Sequence, residues 1–167
     1  MGRKRKKGPV RRQPHLFQIN VSDGGVPKRA VPAAKVTTKG VEGDRQRNLA
    51  VHGGADRAVC LYSLERIHAL QGEGHSIAPG ASGENLTLAG LDWEQLRPGD
   101  QLRIGSTVLL ELIGYTEPCR FNAQWFQDGN FNRINHKRHP GWSRLYARVL
   151  VEGLVQTGDA VVVEKAG

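Results

Sequence analysis

Two thiols, Cys60 and Cys119, are the softest nucleophiles this 167-residue chain offers, and they sit in different surroundings. Cys119 closes the run Leu110-Glu111-Leu112-Ile113-Gly114-Tyr115-Thr116-Glu117-Pro118-Cys119-Arg120. Val108, Leu109, Leu110, Leu112 and Ile113 are apolar with β-branched members, and residues 108–113 read as a buried strand. Proline fixes its own φ and pushes the residue before it toward an extended shape, so the ladder should stop at Glu117-Pro118. Cys119 then falls on the turn just past a strand end, held by a rigid element yet within reach of solvent. The Arg120 guanidinium beside it favours the thiolate, the form that acts as nucleophile and as soft metal ligand. The competing reading is a small core hydrophobe. Cys60 alternates with Val59 and Leu61 inside a strand over residues 58–62 and reads as buried.

Other polar groups cluster on glycine-rich turns. In Gly24-Gly25-Val26-Pro27-Lys28 the glycines let backbone approach a ligand and Lys28 supplies a cation, unless the stretch is an ordinary loop. His52-Gly53-Gly54-Ala55-Asp56-Arg57 can place a histidine, an acid and a cation in one pocket; a hairpin connection with a capping aspartate is the plainer reading. Glu84 and Asn85 stand where a glycine-rich loop runs into a strand, a position that often faces a site. From residue 129 to 151 the chain carries Arg133, Lys137, Arg138, Arg144 and Arg148, with His136 and His139, and no acid. Five cations without a counter-charge suggest a phosphate or carboxylate partner, or else an exposed solvated face. His68 and His75 have no partner at metal-ligand spacing and read as surface residues.

Strands are expected over residues 14–21, 30–38, 58–62, 86–88, 101–104, 108–113, 143–151 and 160–164. One clear helix, residues 64–71, is capped by Ser63 and closed by Gly72 and Gly74. Short helical turns are expected at 91–96 and 121–126, with an irregular stretch from 130 to 142. With no βαβ alternation, this predicts a mainly β fold, barrel-like and mostly antiparallel, with a few short helices. The chain has no P-loop, dinucleotide fingerprint, HExxH or CxxC.

The formal charge of +8 comes from one end: residues 1–12 hold seven of the 24 basic residues and no acid, leaving 17 bases against 16 acids. Residues 1–12 therefore read as a basic disordered tail and 13–167 as one domain. The tail is either a solvated terminus or a tether for an anionic surface. Nucleic acid would bind it only non-specifically, since the body has no recognition-helix or RNA-binding signature. No apolar run of transmembrane length and no signal-peptide pattern occur, and both cysteines read as free thiols, so a cytoplasmic location is expected.

Taken in order, Gly24–Lys28, Gly40-Val41-Glu42-Gly43-Asp44, His52–Val59, Gly83-Glu84-Asn85-Leu86-Thr87, Pro98-Gly99-Asp100 and Glu117-Pro118-Cys119 resemble the molybdenum cofactor sulfurase C-terminal (MOSC) domain family. The resemblance spans roughly residues 16–164 and is to its small stand-alone members. It implies a β-rich, barrel-like fold with a cleft around Cys119. It also implies two roles for that residue: thiolate ligand of molybdenum in a bound molybdopterin cofactor, with reduction of N-hydroxylated or related small substrates, or carrier of a persulfide. In the second case the sulfur comes from a desulfurase partner that holds pyridoxal phosphate; in the first an electron-transfer partner is needed. His52, Asp56, Arg57, Glu84 and Asn85 carry over by motif, Lys28 joins them at the glycine pair, and Arg144 is our assignment for the cofactor phosphate. The basic tail has no counterpart in the family pattern.

Overall fold

The computed structural model describes residues 12–45 and 54–167. The strands are β1 (His15–Val21), β2 (Arg29–Val31), β3 (Ala33–Thr37), β4 (Gly40–Val41), β5 (Val59–Ser63), β6 (Leu86–Ala89), β7 (Gln101–Ile104), β8 (Val108–Tyr115), β9 (Leu145–Val151), β10 (Gly153–Gln156) and β11 (Val161–Glu164); the α-helix is α1 (Leu64–Gly72). Eight strands form one sheet in the order β11-β7-β8-β9-β5-β6-β1-β2, and β10-β3-β4 form a second. The protein is therefore mainly β, as expected, with a mixed main sheet.

Alternation explains the strands that position the site. In β8, Val108, Leu110 and Leu112 are fully buried, on the period of two that puts one strand face into a core. The fully buried Leu16, Ile19, Leu61, Leu86, Leu88, Leu102 and Ile104 join them from neighbouring strands. Helix α1 packs Leu64, Ile67 and Leu70 inward. The Ser63 hydroxyl accepts the Arg66 amide at 3.2 Å, the cap expected from sequence.

Four features depart from the sequence reading. The expected strand over 30–38 is two strands in two sheets: Pro32 has no N–H for a ladder, and the chain changes partners there. Strand β10 has no counterpart among the expected strands; Gly153-Leu154-Val155-Gln156 is short, but it pairs with β3 along four residues. β5, α1 and β6 do form a βαβ unit, because β5 and β6 pair in parallel; the long glycine-rich loop after α1 hides the crossover. Finally, no closed barrel is formed among the described residues. His15 makes an isolated bridge to Ala160, ahead of β11, and no continuous ladder joins β1 to β11. The expected tail lies outside the described residues up to residue 11.

Candidate functional site

Three adjacent strands make the floor of a cleft of about 490 Å³. Cys60 on β5 pairs with Tyr146 on β9, which pairs with Gly114 on β8. Paired residues share a sheet face, and Gly114 leaves its place on that face open: a Cβ there would meet no atom within 4 Å. Cys60, Tyr146 and the neighbouring Arg144 line the cleft, joined by Cys119, Arg120 and Phe121 from beyond β8. Gly25, Val26, Lys28, Arg45, Ser82, Gly83 and Asn85 supply the remaining wall.

Cys119 stands where the sequence places it. Strand β8 ends at Tyr115, residues 116–119 lie outside any ladder, and the thiol is partly exposed. Asn122 donates its amide to the Cys119 carbonyl at 2.9 Å, which starts a 3₁₀ turn over Arg120–Trp125. The Arg120 guanidinium lies 5.2 Å from the Phe121 ring centroid.

Arg144 is the cation at the centre. Its residue is only 6% exposed. One terminal nitrogen donates to the Ser82 carbonyl at 2.6 Å and the other to the Glu117 carbonyl at 3.4 Å. Its Nε is buried with no partner, and no carboxylate forms an ion pair with it among the described residues. A buried guanidinium held by neutral carbonyls keeps a field that an anion would complete. Lys28 differs: Asp44 holds its ammonium at 2.5 Å, with both side chains nearly buried.

Asn85 ties these parts together. Its Oδ1 accepts the Cys60 amide at 3.0 Å, its own amide donates to the Cys60 carbonyl at 2.7 Å, and its Nδ2 donates to Asp44 at 2.8 Å. A line of polar contacts thus runs Lys28–Asp44–Asn85–Cys60. Burial pushes the Cys60 thiol above its ordinary pKa, against the opposing pull of Arg144. Burial likewise pushes the Tyr146 phenol up to about 12, so it stays neutral and able to donate.

The structure brings Cys119, Lys28, Asn85 and Arg144 into one cleft and sends other candidates elsewhere. Glu84 is fully buried behind the wall. It accepts from the Gly80 amide at 2.6 Å, the Ser82 hydroxyl at 2.8 Å and the Thr87 hydroxyl at 3.0 Å. It shapes the loop whose Ser82 carbonyl holds Arg144. Asp56 turns to Arg148 at 3.6 Å, and Arg57 lies over the Tyr146 ring at 5.6 Å, outside the lining. His52 lies outside the described residues. The basic segment is dispersed and largely compensated: Arg133 pairs with Glu73 at 2.9 Å, Lys137 with Glu117 at 3.6 Å, and Arg148 with Asp56 and Glu111. Its counter-charges come from distant parts of the chain, which a local charge count does not see. Asp44, Cys60 and Tyr146 are site residues that sequence reasoning misses. The position of Asp44 at the end of a matched motif is the available signal for the first; strand register, which sequence does not show, places the other two.

A β-rich domain whose cleft joins a reachable thiol to a buried arginine is the class of protein defined by this geometry. Residues 48–162 match the family model of the MOSC domain, and the chain belongs to that family. The family includes molybdenum-cofactor-binding and reductase-like proteins. The chain is 35% identical over 136 residues to the uncharacterized protein YflK of Bacillus subtilis, covering 80% of this chain and 60% of that protein. It is 30% identical to a protein named "Reductase" from Gibberella moniliformis, over 73% of this chain and 22% of the relative. Each relative thus extends well beyond the part this chain spans. The crystal structure of YiiM from Geobacillus stearothermophilus superposes with a TM-score of 0.71 at 25% identity, covering 91% of this chain and 75% of that one.

Proposed function

We propose that the cleft binds molybdenum cofactor, with Cys119 as the protein's thiolate ligand, and that the loaded protein reduces N-hydroxylated or related small molecules. The observation that carries this is the pairing of an accessible thiol with a buried, carboxylate-free Arg144 in one cleft whose lining, among the described residues, contains no acid. The residues fit such a group. A cavity of about 490 Å³ lies in the usual range for ligand sites. No cluster of three or more His, Cys, Asp or Glu could hold a metal among the described residues, so a lone thiolate calls for a metal that arrives with its other ligands.

When bound, the cofactor supplies two-electron redox chemistry at molybdenum. The protein's own residues then have distinct tasks. Cys119 anchors the metal from a strand end that fixes its position. Arg144, with the rim cations Arg45 and Arg120, takes the anionic end. Val26 and Phe121 offer apolar surface to the flat ring system, and Tyr146 presents a neutral hydroxyl to the bound group. Lys28 is pre-neutralised by Asp44 and acts through the wall it braces. Protein made in a cofactor-competent host should carry molybdenum and a fluorescent pterin. Cys119→Ser should lose the metal at least tenfold while melting at the same temperature as the parent. A pure parent protein with neither metal nor pterin overturns the proposal.

A second reading is favoured by one observation: a second thiol, Cys60, lines the same cleft. In that reading Cys119 accepts sulfur from a pyridoxal-phosphate desulfurase and carries it as a persulfide. Incubation with such an enzyme should add one sulfur to the Cys119 peptide; addition at Cys60 alone opposes it.

A further inference from the structure

We propose that Cys60 is a resolving thiol for Cys119: it attacks sulfur carried on Cys119, closes a Cys60–Cys119 disulfide and discharges the load. The proposal rests on Cys119 being a reactive thiol, as in the sulfur-carrier reading above.

The geometry starts from the cleft floor. Both thiols line one cavity. Cys60 heads the row Cys60–Tyr146–Gly114, whose last member has no side chain. The Cys60 sulfur sits 3.9 Å from the Thr116 hydroxyl, and Thr116 begins the four-residue segment that ends at Cys119. Three residues span at most about 11 Å even when fully extended, so Cys119 is tethered close to the Cys60 neighbourhood. A disulfide needs Cα atoms within about 7 Å, and the segment that must close the gap has no strand partner. It belongs to no ladder. Its backbone ties are the Thr116 amide to the Arg144 carbonyl at 3.0 Å, the Glu117 carbonyl to the Arg144 guanidinium at 3.4 Å, and the Cys119 carbonyl to Asn122 at 2.9 Å, while the Glu117 carboxylate accepts from the Asn135 side chain at 3.0 Å and pairs with Lys137 at 3.6 Å. Cys60 is fixed on both sides by its β5 ladder and by Asn85. One sulfur sits within a ladder and the other on a segment outside any ladder.

The order of reaction follows from exposure. Cys60 is 7% exposed and Cys119 stands at the cleft wall, so an incoming sulfur donor meets Cys119 first. Burial keeps Cys60 protonated at rest, and Arg144 opposes that burial penalty when the thiolate forms during attack. The step balances without an external oxidant. The Cys119 persulfide and the Cys60 thiol become a Cys60–Cys119 disulfide and hydrogen sulfide. The Cys60 sulfur forms a bond to the inner sulfur, the one carried by the Cys119 side chain. The bond from that inner sulfur to the outer one breaks, its electron pair leaves with the outer sulfur, and the Cys60 proton leaves with the hydrosulfide. An external dithiol reductant restores both thiols.

The test uses the full chain, reduced and anaerobic, with one equivalent of 4,4′-dithiodipyridine. Attack by Cys119 releases one thiopyridone and leaves a mixed disulfide; attack by Cys60 then releases a second. The proposal expects about two thiopyridones per chain and a linked Cys60–Cys119 peptide by mass spectrometry. Cys60→Ser and Cys60→Ala, both checked for unchanged melting, should stop at one thiopyridone and keep the adduct on Cys119. After persulfide loading with polysulfide, the parent should discharge sulfide at least tenfold faster than either variant. A stable mixed disulfide on Cys119 in the parent overturns the role of Cys60 while leaving Cys119 reactive. No release from Cys119 at all overturns the reactive-thiol reading and this proposal with it.

Discussion

Glu84 shows how a residue can belong to a matched motif without lining the cleft. Its carboxylate is fully buried and satisfies three donors, two from its own loop and the Thr87 hydroxyl from β6. Glu84→Ala should strand those donors and lower stability by on the order of 3 kcal/mol in urea denaturation, with Glu84→Gln losing less because it keeps one acceptor oxygen. Glu73 gives a pH signature. Its hydrogen bonds to Arg133 hold its carboxyl below the ordinary value. A carboxyl depressed in the folded state adds stability that is complete above the unfolded value of about 4.3 and is lost as pH falls through the folded one. The stability gap between the parent and Glu73→Gln should therefore be present at neutral pH, under about 1 kcal/mol for so exposed a pair, and should close in acid. Cys119 is legible from sequence because its signal is local: an apolar strand, a proline stop and a cysteine. The pairing of Asp56 with Arg148 is not, because each looks unpaired until β9 brings them together.

The loop from Pro79 to Asn85 is the element on which the cleft turns. Gly80 has φ +84, and a Cβ there would stand 2.5 Å from the Lys28 carbonyl oxygen, while the Lys28 amide donates to the Gly80 carbonyl at 2.9 Å. Neither atom can yield, since both are backbone. Gly80→Ala should push apart the Lys28 and Ser82 walls, cost on the order of 2 kcal/mol or more, and reduce retention of the proposed cofactor even though it removes no polar group. Thermal melting paired with metal content checks both halves. The glycine-rich composition makes this loop visible in the sequence, but its partner does not show: the contact joins Lys28 to Gly80, far apart in the chain. For the same reason most strands of the main sheet are legible one by one, while β10, the parallel pairing of β5 with β6 and the split at Pro32 emerge from the fold alone.

At the scale of the molecule, the first strand and the turn that leads into the last strand are fastened to each other. The Leu16 amide donates to the Asp159 carbonyl at 2.8 Å, the Gly158 amide returns to the Leu16 carbonyl at 2.8 Å, and the Val161 amide reaches the Pro14 carbonyl at 3.0 Å. Sequence patterning finds both strands, yet nothing local in either one announces the other. No helix among the described residues is long and apolar enough to cross a membrane. The junction of first and last strands sets the timetable of folding. A ribosome must deliver residue 161 before the acceptor on residue 14 is in use, so the nascent chain cannot mature piecemeal from its beginning, and its rate should be governed by that late, long-distance meeting. Chains released at residue 157 should remain protease-sensitive, and should acquire resistance when a peptide spanning 158–167 is added back.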